Sequence, residues 1–246
     1  MPNSTKYSIA QVAPDGKGEG LHLQRKARKM VRGGDEMKLE ILYQDEAIVL
    51  CLKPAGIDSE NEGMPALLRA QTGAEQIFCV HRLDRAVGGL MVYAKTKAAA
   101  AALSRQIADG EMLKRYLAVC RGSAPAGGEL RDLLYHDAAK NKSYVVRRMR
   151  RGVRDAALRF ETLERREGLS LVRVELLTGR SHQIRVQFAS RALPLLGDRR
   201  YGGGGECPLA LWSASLSFAH PQSGKALSFE APPPETEPWT RFSSKG

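Results

Sequence analysis

The chain has 246 residues, with 38 Lys+Arg against 27 Asp+Glu and a formal net charge of +11. Hydrophobic residues make up 43% and charged residues 26%, ordinary for a globular protein. A chain of this length buries roughly 70–75% of its unfolded surface and needs no covalent staples. No apolar run approaches the ~18 residues of a membrane-spanning helix, and the N-terminus lacks the charged-then-apolar pattern of a secretion signal. Cys51, Cys79, Cys120 and Cys207 stand far apart with no C-x-x-C pair. That speaks against a zinc ribbon or disulfide framework and for a reducing, cytoplasmic setting. The positive balance points to a polyanionic partner, most simply nucleic acid, with a merely solubilising surface as the alternative.

In chain order, residues 1–36 hold the basic run Arg25-Lys26-Ala27-Arg28-Lys29 and little periodic apolar character. They read as a poorly ordered basic leader with a net charge of +3 (seven Lys+Arg, four Asp+Glu), a candidate RNA-touching arm or an untranslated start. From Met37 the pattern becomes dense. Met37 to Tyr43 opens a strand. Ala47 to Leu52 is an apolar run closed by Lys53-Pro54-Ala55-Gly56, a buried strand ending in a turn. Pro65 to Gln71 before Gly73 reads as a short helix. Ile77–Val80 and Leu90–Ala94 read as strands. Thr96 caps a helix that carries Leu103 and Ile107 on one face and stops at Gly110. Tyr116–Cys120 is a further strand, and Val172, Val174 and Leu176 alternate with Arg173 and Glu175 as a half-buried one. Ser181 is placed to cap a helix with Ile184 and Phe188 on one face. Leu216 and Phe218 face Leu227 and Phe229 across Pro221-Gln222-Ser223-Gly224, a hairpin. Clustered strands with scattered helices predict an α+β fold: one domain over 37–246, with a central mixed, mainly antiparallel sheet flanked by helices and loops.

Three stretches carry polar chemistry where a core would want apolar side chains. His81-Arg82-Leu83-Asp84-Arg85 with Gly88-Gly89 lies between two strands, where loops place functional groups. Glycines there admit unusual backbone angles or a close approach by a ligand. Thr178-Gly179-Arg180-Ser181-His182-Gln183-Ile184-Arg185 lies between a strand and a helix start, a natural anion site. Residues 140–154 hold Lys140, Lys142, Arg147, Arg148, Arg150, Arg151 and Arg154 without an acid, a solvated loop or a phosphate-contacting surface. No P-loop, H-E-x-x-H, G-x-S-x-G or dinucleotide fingerprint is present. Gly202–Gly205 lacks the Lys-Ser/Thr of a phosphate loop and reads as a turn. No metal site is expected.

Four stretches in order resemble the large-subunit-type (RluA-like) RNA pseudouridine synthases. They are Asp45 to Gly56, ending Lys53-Pro54-Ala55-Gly56; His81-Arg82-Leu83-Asp84 with Gly89-Leu90; Lys114-Arg115-Tyr116-Leu117-Ala118-Val119 with Gly122; and Thr178 to Arg185 followed by Gly197-Asp198 and Tyr201-Gly202. The resemblance runs from Met37 to about Pro234. It implies a cofactor-free, metal-free isomerase that converts uridine to pseudouridine in ribosomal or transfer RNA. Asp84 matches the family's catalytic aspartate, Tyr116 the tyrosine that stacks on the target base, and Arg180 the arginine that pairs with the aspartate. Arg82 matches a residue that helps displace the base. His81, Arg85, Gln183, Ile184 and Arg185, with Lys140, Lys142, Arg147, Arg148, Arg150 and Arg151, are expected RNA contacts. His182 and Gln183 are expected to order the Arg180 loop, and Ile184 to be core.

The chemistry fits these roles. A glycosidic C–N bond becomes C–C, so the uracil must detach, turn and rejoin. A carboxylate can add to base or sugar, or take a proton from C2′. It must be ionised, which a nearby arginine favours. Unstacking the target costs a few kcal/mol, which a filling arginine and a receiving aromatic ring offset. Where many members carry Thr-Ser, this chain has Val87-Gly88, which is expected to alter loop shape and RNA fit. The leader is expected to be too short for a further RNA-binding domain, so target choice is expected from the core, its basic loop and the arm. The expected protein is a cytoplasmic monomer with RNA as its partner and no membrane association. The rivals are a non-catalytic RNA-binding or RNA-chaperone protein on the same fold, and a hydrolase using Asp84 with His81 or His182.

Overall fold

The computed structural model describes residues 8–10, 20–21, 37–202, 204–205 and 207–242. The expectations for the remainder of the leader, its basic run included, lie outside the described residues. The strands in chain order are β1 (Ser8–Ala10), β2 (Gly20–Leu21), β3 (Glu40–Gln44), β4 (Ile48–Lys53), β5 (Phe78–Cys79), β6 (Gly88–Ala94), β7 (Leu113–Arg121), β8 (Gly127–Asp137), β9 (Lys142–Val146), β10 (Val153–Arg166), β11 (Leu169–Leu176), β12 (Leu211–Ala219) and β13 (Ala226–Glu230). The helices are α1 (Met64–Thr72), α2 (Lys97–Ala108) and α3 (Gln183–Ala189). The fold is α+β. The chain forms two compact units, residues up to 114 with 213–232, and 115–212 with 233–246.

In the first unit, β6 is the central strand. It pairs antiparallel with β4, from Ile48↔Ala94 to Lys53↔Gly89, and with β5, and it also pairs with β12. All seven of its residues are buried, as a continuous run without polar alternation requires of a strand covered on both faces. The β12–β13 hairpin has the register that its alternation predicts, Leu216↔Phe229 and Phe218↔Leu227, and these four side chains join Ile48, Leu50, Leu90 and Val92 in one core. β1 extends this sheet by pairing with β13. Helix α2 closes the core with Ala99 and Leu103. Its cap is as expected: the Thr96 hydroxyl accepts from Ala99 N at 3.1 Å. Helix α1 ends on Gly73, whose φ of 69° only glycine adopts without strain.

Gly89 sits inside β6 rather than in a free loop, at φ 118°. A Cβ there would stand 2.6 Å from the backbone nitrogen of Ser213 and closer still to its carbonyl oxygen. The close approach anticipated at this glycine is therefore by strand β12 and not by a ligand. Gly89→Ala is expected to destabilise the first unit by about 3 kcal/mol or more, combining backbone strain with overpacking. Urea melting of the variant checks this.

In the second unit the strand order is β7–β11–β10–β8–β9, antiparallel throughout. Val172 and Val174 of β11 are fully buried, as their alternation predicts. The basic stretch 140–154 is no single loop: it comprises β9, an exposed tip at 147–152 and the first residues of β10. Helix α3 has seven residues and starts later than expected. Its N-cap is His182 in the left-handed region (φ 55°, ψ 22°) with no side-chain cap bond, so Ser181 is not the cap. Val186 of α3 packs on Leu134 of β8 and Ala156 of β10, and Phe188 meets Phe160 edge-on at 5.3 Å.

Candidate functional site

In the first unit, Asp84 stands on the loop that joins β5 to β6, half-buried between buried Leu83 and exposed Arg85. Side chains hold this loop through its backbone. The Ser59 hydroxyl donates to Leu83 O at 2.9 Å. Val87 N–H donates to Asp84 O at 2.8 Å, closing a tight turn. Gly56 N–H donates to Arg85 O at 2.7 Å, and Arg85 Nε returns a bond to Gly56 O at 2.7 Å. The turn after β4 and the Asp84 loop are thus clamped reciprocally, which explains why two motifs some thirty residues apart belong together.

Lys53 has a role that the sequence hid. It ends the apolar run of β4 and is fully buried. Its Nζ donates to the carbonyls of Pro54 (2.9 Å), Ile57 (2.7 Å) and Arg85 (3.2 Å). Burial pulls its pKa down to about 8, against the carboxylates of Asp58 and Asp84, which favour its charge. Lys53 therefore ties the turn after β4 to the Asp84 loop with one cation.

His81 is buried, and its Nε2 accepts from Val92 N at 3.2 Å. It takes the place of a strand carbonyl where β5 is too short to serve β6. The proton must then lie on Nδ1, which finds no partner among the described residues. Desolvation, with Lys114 adding repulsion, lowers its pKa to about 3. His81 therefore orders β6. The unfolded chain protonates this histidine near pH 6.5 while the folded protein does not until about 3. The unfolded state binds more protons in that window, so stability falls as pH drops from 6.5 towards 3. His81→Gln is expected to flatten this part of the acid-unfolding slope, read by urea melts at pH 4 and pH 7.

Arg82 is exposed and pairs with half-buried Glu60 at 3.0 Å. Such a pair is worth only about 0–1 kcal/mol, so Arg82 can leave it at little cost.

In the second unit, Gln183 is the hub of the Arg180 loop. Its Oε1 accepts from Arg180 N at 3.0 Å and from the Thr178 hydroxyl at 2.8 Å, and its Nε2 donates to Ala157 O at 3.0 Å. Arg180 is exposed, and its Nε donates to Asp155 O at 2.8 Å. Gln183 N–H is itself bound to Arg180 O at 3.1 Å. The backbone donors of Arg180 and Gln183 at this helix start are thus satisfied internally.

Gln183, Ile184 and Arg185 are buried at 3%, 4% and 7% exposure, so they face inward where RNA contact is expected of them. Arg185 makes a two-pronged pair with Asp198, Nε–Oδ2 at 2.7 Å and Nη2–Oδ1 at 2.9 Å, and stacks over the Tyr201 ring at 5.2 Å. The Tyr201 hydroxyl accepts from Ser143 N at 2.7 Å and bonds His182 Nδ1 at 2.9 Å. That contact holds His182 in its uncommon left-handed backbone, a conformation costing of order 1 kcal/mol. The Asp198 and Tyr201 positions thereby receive a reason: they brace α3 and β9.

Tyr116 lies in β7 opposite Val174 of β11, at 5% exposure. Lys140 lies at the β8–β9 turn and pairs with Asp137 at 3.9 Å. Arg147, Arg148, Arg150 and Arg151 are exposed at the β9–β10 tip, and Lys142 is half-buried. Among the described residues no three His, Cys, Asp or Glu side chains gather as metal ligands. No helix there is long and apolar enough to cross a membrane.

The fold matches two human structures, RNA pseudouridylate synthase domain containing 1 (TM-score 0.70, 21% identity, 84% of this chain and 88% of that one) and domain containing 4 (0.66, 23%, 79% and 88%). In sequence, the chain is 31% identical to ribosomal large subunit pseudouridine synthase D of Neisseria meningitidis, over 82% of its own length and 60% of the relative's. It thus spans about three-fifths of that protein. It is also 31% identical to the synthase of the same name from Zymomonas mobilis, over 81% of this chain and 71% of that one. The family model for RNA pseudouridylate synthase matches residues 47–190, a range that holds the Lys53 turn, the Asp84 loop, the Tyr116 strand and the Gln183-centred Arg180 loop. On these grounds the chain belongs to the RNA pseudouridylate synthase family.

Proposed function

We propose that this protein isomerises specific uridines in structured RNA to pseudouridine, with Asp84 as the essential catalytic residue, acting without a cofactor as a cytoplasmic monomer. The observation that carries the reading is the build of the Asp84 loop. A half-buried carboxylate stands on backbone fixed by Ser59, Gly56, Arg85 and Lys53. Such preorganisation lowers the cost of reaching the reactive geometry.

The reaction balances within the substrate. The C1′–N1 bond breaks, the uracil turns, C1′ bonds to C5, the proton on C5 leaves and N1 gains one. Asp84 supports the step by adding to base or sugar or by taking the C2′ proton. Tyr116 is assigned the stacking of the target base, and Arg180 the cation partner of the carboxylate. Arg82, exposed on the Asp84 loop, is assigned the space that the flipped base vacates. The basic β9–β10 tip is assigned to phosphates.

The relatives' names speak of the large ribosomal subunit, which supports ribosomal RNA ahead of transfer RNA as the substrate. Mapping pseudouridines across total RNA from cells with and without the gene tests this. Loss of one or a few ribosomal sites is the expected result. Loss confined to transfer RNA corrects the substrate, and an unchanged map overturns the reading.

A further inference from the structure

The β8–β9–β10 part of the second unit turns one face towards α3, where Leu134 and Ala156 pack on Val186. Strand side chains alternate, so Tyr135, next to Leu134, belongs to the opposite face. The register sets Tyr135 directly across from Tyr144, which brings their Cβ atoms to about 5 Å of one another. Lys142 shares that face two residues from Tyr144. Its Nζ stands 5.7 Å from the Tyr144 ring centre and 5.4 Å from that of Tyr201. Beyond Tyr135, the Arg150 guanidinium lies 5.2 Å from the ring centre. The resulting row on that face runs Lys142, Tyr144, Tyr135, Arg150, and it ends beside the exposed arginines of the tip; Tyr201 packs with Leu134, Ala156 and Val186 on the α3 side. All three rings are half-buried.

A core would take the rings without the cations, and a solvated face would take the cations without the rings. Alternation of the two is what an unpaired nucleic-acid strand requires, with bases on ring faces and phosphates on cations. Tyr201 lies on the α3 side and is already committed through its hydroxyl and under two cations. Tyr135 and Tyr144 are the rings left for ligand.

We infer that this face is a stacking platform for unpaired nucleotides of the RNA other than the target uridine, with bases on Tyr135 and Tyr144 and phosphates on Lys142 and Arg150. The inference rests on RNA being the substrate, as proposed above. It adds a preference for single-stranded segments over duplex, because paired bases present no free face to a ring.

The test uses the full chain and a short oligoadenylate. That probe contains no uridine, so binding is read independently of isomerisation. Tyr135→Ala and Tyr144→Ala are each expected to weaken binding about tenfold, in the range of one lost base stack, with an unchanged salt slope. Tyr135→Phe and Tyr144→Phe are expected to bind within about twofold of wild type. Lys142→Gln and Arg150→Gln are each expected to lower the slope of log K against log salt by about 0.7. Ultraviolet crosslinking of the unaltered protein to the same probe is expected to mark peptides carrying Tyr135 or Tyr144, which needs no variant to fold. The inference is overturned if alanine variants that melt like wild type bind equally well, if phenylalanine fails to restore binding, or if a duplex binds as tightly as the single strand. Binding with these features from a protein that forms no pseudouridine would sink only the proposed activity.

Discussion

Asp84→Asn is expected to lower pseudouridine formation by at least about a thousandfold while RNA affinity stays within about twofold. The size follows from the role: a carboxylate acting as nucleophile or proton acceptor supplies several powers of ten, and an amide can do neither. The sparing of binding follows from the geometry. The loop is fixed through the carbonyls of Leu83, Asp84 and Arg85 and through the Gly56 clamp, and asparagine keeps both the shape and the backbone. Single-turnover product measurement beside an RNA-binding titration separates the two effects. An active variant would refute the assignment of Asp84, and a variant that loses RNA binding and activity together would make Asp84 a structural residue.

The second large effect concerns stability. Asp198 is 1% exposed and accepts both prongs of the buried Arg185 guanidinium as well as the Arg200 N–H at 3.1 Å. Asp198→Ala leaves a buried cation without its counter-charge, which costs about 3–5 kcal/mol. A melting temperature lowered by roughly 10 °C is expected, with loss of the ordered α3 segment. The double variant Arg185→Met with Asp198→Leu removes both charges and is expected to recover more than half of the loss. If the single and double variants melt alike, the pair is not what holds this region. Because Arg185 also stacks on Tyr201, whose hydroxyl holds His182 and Ser143, the damage should spread to the Arg180 loop.

Much of the first unit is legible in the sequence because its signals are local. The β12–β13 register follows from alternation about a four-residue turn, the α2 cap from Thr96, and the end of α1 from Gly73. The motif loops are legible too, since polar residues between apolar strands have few other reasons to be there. Strand β10 is not. Its sequence Ala156-Ala157-Leu158-Arg159-Phe160-Glu161 is rich in helix formers, and only pairing with β8 and β11 makes it a strand. The same non-local pairing carries Tyr135 and Tyr144 to one face, which no spacing along the chain announces.

The supporting residues divide in the same way. Gln183 stands inside a motif and is found with it. Lys53 stands in a motif too, but its bond to Arg85 O joins a loop that meets the turn after β4 only in the fold. Arg185, Gln183 and His81 look like RNA contacts on charge and motif alone. In the fold they are buried and brace it, a role that depends on the packing of α3 and β6.

Product analysis after incubating the purified protein with ribosomal RNA made free of modification tests the central claim most directly. The reading predicts pseudouridine in place of uridine at one or a few defined positions, an intact RNA chain, and no product from the Asp84→Asn protein. Unchanged uridine with tight binding would make the protein a non-catalytic RNA binder, and cleaved RNA would make it a hydrolase; either result would contradict the account.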